Sequence, residues 1–181
     1  MGEVAARILC RTPLASNTGA TGEAFKDAMS RLAVGVVVAA CWGADGAPVG
    51  LLVSSIAPVS AEPPRILFCV QKTARSHNAL FAAQRISLNI LSETDRAEAE
   101  RFSSAERGLE RFDPSEWYLD PQTPPQRRSA LVSLTGGVGH RMDAGTHTVF
   151  ILNVSDIDVR DAKPLVYFDR RYTSLRPLTD A

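Results

Sequence analysis

Two adjacent serines inside an otherwise apolar strand are the first residues of this chain that invite a chemical reading. They stand in Gly50-Leu-Leu-Val-Ser-Ser-Ile-Ala-Pro-Val-Ser60. A hydroxyl is costly to bury unless it meets a polar partner, so a polar ligand would account for the pair. Alternatively, one of Ser54 and Ser55 faces solvent, because strand neighbours point to opposite sides. A second group follows at Lys72-Thr-Ala-Arg75-Ser76-His77, where a strand gives way to a short helix. Free backbone N–H groups, the Thr73 and Ser76 hydroxyls and two fixed cations would converge there and suit an anion such as a phosphate. The competing reading is an ordinary capped helix start with solvated Lys72 and Arg75. His77 either flanks such an anion or covers the helix end.

Phe102, in Arg101-Phe102, reads from its helical spacing as a core residue; Arg111-Phe112 repeats the dipeptide. His147 shares a strand face with Val149 and Ile151 and reads as a half-buried histidine. A metal site built from His77, His140 and His147 is a poor reading, since the interval between the last two is not a ligand spacing and no carboxylate cluster accompanies them. The chain has no convincing nucleophile triad or carboxylate pair. It also lacks Gly-x-Gly-x-x-Gly and a P-loop, so any nucleotide must be held in another way.

The elements that must position these residues are mostly strands. Phe25, Met29, Leu32 and Ala33 recur at helical spacing behind a Thr21 cap, predicting a short helix over 22–33. Residues 34–42 are β-branched, Gly43-Ala-Asp-Gly46 is a turn, and 48–56 is a second apolar run, which together predict a hairpin. Strands are expected over 65–72 and 85–91, with a helix of about two and a half turns in 74–83. Ser92 caps a further helix, expected to reach about Arg107, with Glu93 and Asp95 in its first turn. Residues 108–128 carry four prolines and read as an irregular excursion or lid. Strand texture returns over 130–141, 147–159 and 165–168. About seven strands and three short helices, without regular alternation, predict a mainly β protein: a β-barrel with peripheral short helices.

The chain has 181 residues, 45% of them hydrophobic and 22% charged, which predicts one folded domain over 21–181 behind a flexible N-terminal arm at 1–20. Twenty basic residues balance twenty acidic ones, so no global field favours nucleic acid or an anionic membrane. The longest apolar stretch, Ala33 to Trp42, is about half of a bilayer span. Cys10, Cys41 and Cys69 fit neither a disulfide framework nor a zinc knuckle; they predict reduced, structural thiols in a cytoplasmic protein.

Taken in order, Gly50 with Val53-Ser54-Ser55, Val59-Ser60, Pro63-Pro64, Ile86-Ser-Leu-Asn-Ile-Leu-Ser92, Arg101-Phe102, Gly145-Thr-His147 and Pro164-Leu-Val-Tyr167 closely resemble the flavin reductase family. This family is typified by the reductase components of two-component flavin monooxygenases, and the resemblance runs from residue 25 to about 175. It implies an FMN-binding split barrel of Greek-key type, homodimeric, with the flavin near the subunit interface. It implies FMN as cofactor, with FAD as an alternative, and NADH or NADPH as co-substrate. Reduced flavin would leave to serve a flavin-dependent monooxygenase component. Cofactor-binding roles fall by resemblance on Val53, Ser54, Ser55, Gln71, Lys72, Thr73, Arg75, Ser76, Arg101 and Phe102. His147 falls beside the nicotinamide as the catalytic residue, and no metal is implied.

Two positions depart from the family pattern. Gly50-Leu51-Leu52 stands where Gly-x-Thr is usual, and Gly145-Thr146-His147 where Gly-Asp-His is usual. A hydroxyl near the flavin and a carboxylate near the histidine are thereby lost. The rival function is a non-catalytic flavin-binding protein, a carrier or sensor, on the same fold.

Overall fold

The computed structural model describes residues 21–104 and 111–176. The arm expected over 1–20, Cys10 and residues 108–110 lie outside them, and the helix expected to reach about Arg107 ends already at Ser103, where Ser104 turns extended. Thr21 caps the first helix, α1 (Gly22–Ser30), its hydroxyl accepting from the Ala24 N–H at 3.1 Å. α1 stops short of residue 33 and none of its residues is buried.

The valine-rich run after α1 does not form one strand. It divides into β1 (Val34–Gly35) and β2 (Val37–Trp42), and Val36 is where the chain changes partners. The Val36 N–H donates to Leu165 C=O at 3.1 Å, while its carbonyl accepts from Leu91 N–H at 2.9 Å. The Gly43–Gly46 turn leads into β3 (Pro48–Val53), with Gly46 at φ +77°, a value glycine adopts without Cβ strain. The expected strand 48–56 breaks at Ser54-Ser55, after which β4 (Ile56–Ala61) and β5 (Pro64–Gln71) follow. Then come α2 (His77–Ala82), β6 (Arg85–Ile90), a 3-10 turn at Glu93–Asp95 and α3 (Arg96–Ser103). Two short strands, β7 (Trp117–Tyr118) and β8 (Gln126–Arg127), precede a long hairpin of β9 (Val132–Ala144) and β10 (His147–Val159). The described chain ends with β11 (Leu165–Phe168) and β12 (Arg171–Ser174).

The main sheet runs β3-β2-β6-β9-β10-β5-β4. β3 and β4 lie at opposite ends of that order, yet only Ser54 and Ser55 join them, so the sheet must roll round until its two edges meet. Along this seam the Cys69 N–H donates to Ser55 C=O at 3.0 Å and the Ser76 hydroxyl to Gly50 C=O at 2.8 Å. β1, β11 and β12 form a separate small sheet beside it.

β2 is buried on both faces, which explains why its sequence does not alternate with polar residues. Val37, Ala39 and Cys41 point into the barrel with Phe68, Leu80, Ile86, Leu88, Phe150 and Leu152. Val36, Val38 and Ala40 face outward to a second cluster with Phe102, Phe112 and Trp117. The described part of 108–128 is irregular, as expected, but it is not a lid. It carries Trp117, at 0% exposure, into that second core, and β7 pairs with β8.

Candidate functional site

The seam gathers most of the nominated residues at one end of the barrel. Ser54 and Ser55 are both exposed and sit outside the strands, so neither hydroxyl is buried within a strand and both are open to solvent or a ligand. Their polarity suits a place where the ladder passes from one sheet edge to the other and backbone groups need solvent or a ligand. Gln71, Lys72, Thr73, Arg75 and Ser76 follow at the end of β5, and Ser76 is tied to Gly50 as above. His147, the first residue of β10, lies opposite Gln71 in the register, and the Lys72 N–H donates to Thr146 C=O at 2.9 Å. The serine pair, the β5–α2 junction and the histidine hairpin are thus one neighbourhood.

Within it, His147 Nδ1 stands 2.9 Å from Thr146 Oγ1. The hydroxyl that replaces the family's usual carboxylate therefore contacts the imidazole itself. A carboxylate does occur on the same hairpin: Asp143 accepts from Lys72 Nζ at 2.5 Å and from Gly145 N–H at 3.0 Å. The Lys72 hydrogen bond, with the Gly145 N–H, holds the Asp143 carboxyl below its ordinary range. His77 behaves differently from either expectation. It is buried, its Nε2 is 2.8 Å from Thr148 Oγ1, and its ring stacks on Phe81 at 5.8 Å, so it plugs the barrel end. His140 pairs with Ile151 elsewhere on the hairpin, and the three histidines do not converge.

Adjoining the seam is a cleft of about 560 Å3, within the usual size of small-molecule sites. Leu52, Val53 and Ser54 form one wall and Ser103 of α3 part of another. Leu52, at the position of the family's usual threonine, presents an apolar wall there. Burial raises the Tyr172 hydroxyl above its ordinary range, opposed by its hydrogen bond with Ser103.

Of the nominated residues Val53 and Ser54 line this cleft, whereas Ser55, Gln71, Lys72, Thr73, Arg75, Ser76 and His147, like Arg101 and Phe102, do not. Phe102, 4% exposed, packs edge-on against Phe112 at 5.3 Å and tilted against Trp117 at 5.7 Å. A Cβ on Gly50 would stand 3.1 Å from the Phe102 ring and 3.0 Å from that of Phe112, so glycine there lets β3 seat closely on the α3 flank. Arg101 donates to Glu98 at 2.7 Å and to Glu116 at 3.1 Å.

Those bonds belong to a buried ionic network that sequence reading missed. Arg127 donates to Asp95 at 3.1 Å and to Glu116 at 2.8 Å, while Trp117 Nε1 donates to Glu98 at 2.8 Å. Glu98 is 1% exposed and Asp95 2%. Burial pushes the Glu98 carboxyl up, opposed by the Trp117 bond and the two arginines. Hydrogen bonds from Arg127 hold Glu116 below its ordinary value. The spacing of Asp95, Glu98 and Arg101 along one helix face was a visible signal. Their partners come from an irregular segment that carries none.

A family model described as "Flavin reductase like domain" matches residues 29–176. Among curated relatives, the reductase subunit HsaB of a flavin-dependent monooxygenase from Rhodococcus jostii is 30% identical over 154 residues, covering 84% of this chain and 77% of that protein. An FMN reductase (NADH), RutF, from Stutzerimonas stutzeri is 29% identical over 92% of this chain and 95% of its own. The crystal structure of a putative flavin reductase from Haemophilus somnus superposes with a TM-score of 0.81 at 27% identity, covering 86% of this chain and 100% of that one. The rolled seven-stranded sheet, the two-serine seam and the match over residues 29–176 agree, and the chain belongs to the flavin reductase-like domain family.

Proposed function

We propose that this chain is an NAD(P)H-dependent flavin reductase whose reduced flavin serves a separate flavin-dependent monooxygenase component. The observation that supports the reading most directly is the convergence of Val53–Ser55, Gln71–Ser76 and His147 along one seam, from which Val53 and Ser54 reach a cleft that is apolar on one wall and hydroxyl-bearing on another. This donor set fits a flavin: Lys72, Thr73, Arg75 and Ser76 offer cations and hydroxyls for a phosphate, and Val53, Ser54 and Ser55 offer backbone and hydroxyl groups for the ring. Bound flavin supplies the hydride acceptor for a reduced nicotinamide. His147, oriented by Thr146, positions the nicotinamide. Phe102 supports β3 at Gly50, and Arg101 is held beside it by Glu98 and Glu116. FMN is the first cofactor of this reading and FAD the second, with NADH or NADPH as donor.

The reading includes a homodimer in the cytoplasm. The apolar side of α1 and the residues just after it support association, since Phe25 is 62% exposed, Met29 47% and Leu32, beyond the helix end, 58%. Sedimentation should give twice the chain mass of 19.5 kDa; a monomer at micromolar concentration would overturn the dimer. No helix among the described residues is long and apolar enough to cross a membrane.

The test of function is steady-state NADH oxidation with excess FMN, with flavin absorbance followed anaerobically. His147→Ala should lower turnover efficiency at least about tenfold, because hydride transfer needs close positioning. Arg75→Ala should weaken FMN binding by about tenfold. Flavin binding without NADH turnover would replace the enzyme by a carrier or sensor, the reading that Leu52 and Thr146 would then explain. Failure to bind any flavin would sink both.

A further inference from the structure

The turn that carries His147 is held at two points by a single residue of the neighbouring strand end. β5 stops at Gln71, opposite His147, and Lys72 is the first residue beyond that ladder. The Lys72 backbone N–H donates to Thr146 C=O at 2.9 Å, and its Nζ donates to Asp143 Oδ2 at 2.5 Å. Thr146 and Asp143 lie on either side of Gly145, so Lys72 grips the turn across its bend. Asp143 closes the grip from within, because its other oxygen accepts from the Gly145 N–H at 3.0 Å. Gly145 is the first of the two residues that link Ala144 to His147, and its φ of +67° makes the bend.

As a source of stability this pair is small, since the Lys72 and Asp143 side chains are 36% and 75% accessible and exposed ion pairs contribute little to folding. Its geometry is the informative part. The residue before the histidine is a threonine, whose hydroxyl contacts His147 Nδ1 at 2.9 Å, and a neutral hydroxyl holds an imidazole less firmly than a carboxylate does. The charge on this hairpin therefore reaches the histidine through the backbone that Lys72 and Asp143 hold. An ammonium carries three N–H groups, so the bond to Asp143 leaves Lys72 others for an anion at the β5–α2 junction.

We propose that Asp143 is a positioning residue: through Lys72 and the Gly145 N–H it seats the Gly145–Thr146 turn on the end of β5 and so fixes where the His147 ring stands. The seating rests on the hydrogen bonds above. Its consequence for turnover rests on the reductase reading, in which a small displacement of a positioning group is costly because hydride transfer needs close approach.

The test is Asp143→Ala, read by NMR-detected hydrogen exchange on the flavin-free protein and by steady-state kinetics. The Lys72 amide is the reporter, because its acceptor is Thr146 and not the deleted carboxylate. It should exchange about fivefold faster in the variant, while the Phe150 and Leu152 amides, in the middle of β10, keep the parent rates. At saturating FMN, kcat/KM for NADH should fall about fivefold, with FMN affinity within about twofold of the parent and the urea midpoint unchanged, a combination that a merely structural role would not give. Lys72→Met removes the other end of the same bond. At saturating FMN the double variant should therefore lose no more NADH efficiency than the weaker of the two single variants. A Lys72 amide rate within about twofold of the parent, or NADH losses that add in the double variant, overturns the proposal. So does faster exchange with unchanged kcat/KM in a protein that turns over. Faster exchange in a protein that oxidises no NADH would leave the seating of the turn standing and remove the reductase reading instead.

Discussion

The barrel interior and the α3 flank both bury large aromatic rings, but only the flank buries charge. Inside the barrel, Phe68 and Phe150 stack at 5.0 Å among Leu80, Ile86, Leu88 and Leu152, with the His77–Thr148 pair at one end. In the flank, the cluster of Phe102, Phe112 and Trp117 meets the buried ions through the Trp117–Glu98 bond, and Glu98 and Asp95 share Arg127. An apolar core is defined by volume and shape and accepts substitutes of similar size. A buried ionic network is defined by who faces whom, and removing one member strands the others. The barrel therefore supplies general stability, while the flank fixes where α3 sits and so how Arg96 and Ser103 enter the cleft.

The largest expected effect tests this directly. Arg127→Met keeps much of the side-chain volume but leaves Asp95 and Glu98 buried without their cation, and should cost about 3–5 kcal/mol in urea denaturation. Phe150→Leu, in the centre of the barrel, should cost only about 1–1.5 kcal/mol. Equal losses would erase the distinction. Next in size is Trp117→Phe, which fills most of the same space but withdraws the N–H held by Glu98; a loss of about 1–3 kcal/mol is expected, and a neutral result would mean the bond is not formed in solution.

The pH dependence sharpens the comparison further. Burial raises Glu98 above the ordinary glutamate value of 4.5, so its contribution to stability is largest below that pH and is lost as pH rises through the raised value. Hydrogen bonds from Arg127 lower Glu116 from the same 4.5, so its contribution is present above that pH and lost as pH falls through the lowered value. Urea midpoints followed from acid to neutral pH should therefore decline less toward neutrality in Glu98→Gln, and less toward acid in Glu116→Gln. Phe150→Leu should shift the curve without changing its shape. The smallest effect concerns the barrel thiol. Burial pushes Cys41 up to about 12 and raises Cys69 as well, so mass-spectrometric mapping after alkylation at pH 8 should find Cys41 essentially unlabelled in the native protein. Rapid labelling would show a barrel more open than its packing implies.

Much of this molecule is determined by local sequence. The run 147–159 forms β10 with the bounds its residues predict, 165–168 forms β11, and Gly43–Gly46 makes the expected turn, because alternation, β-branching and glycine act within a few residues of themselves. Where partners change, the sequence is silent. Val36 looks like its valine neighbours, yet it is where pairing passes from β11 to β6. Ser54 and Ser55 look like strand residues, yet they close the barrel, since nothing in a strand's own sequence says which edge it will meet. Arg101 carried a family role by resemblance, and the fold gives it to Glu98 and Glu116; Arg127, which nothing in its sequence surroundings singles out, reaches Asp95 across 32 positions of chain. Periodicity encodes which face of an element is apolar. It carries no record of which distant charge will share that face, and that choice is made only when the irregular segment after α3 packs Trp117 against the helix and excludes water from the ions around it.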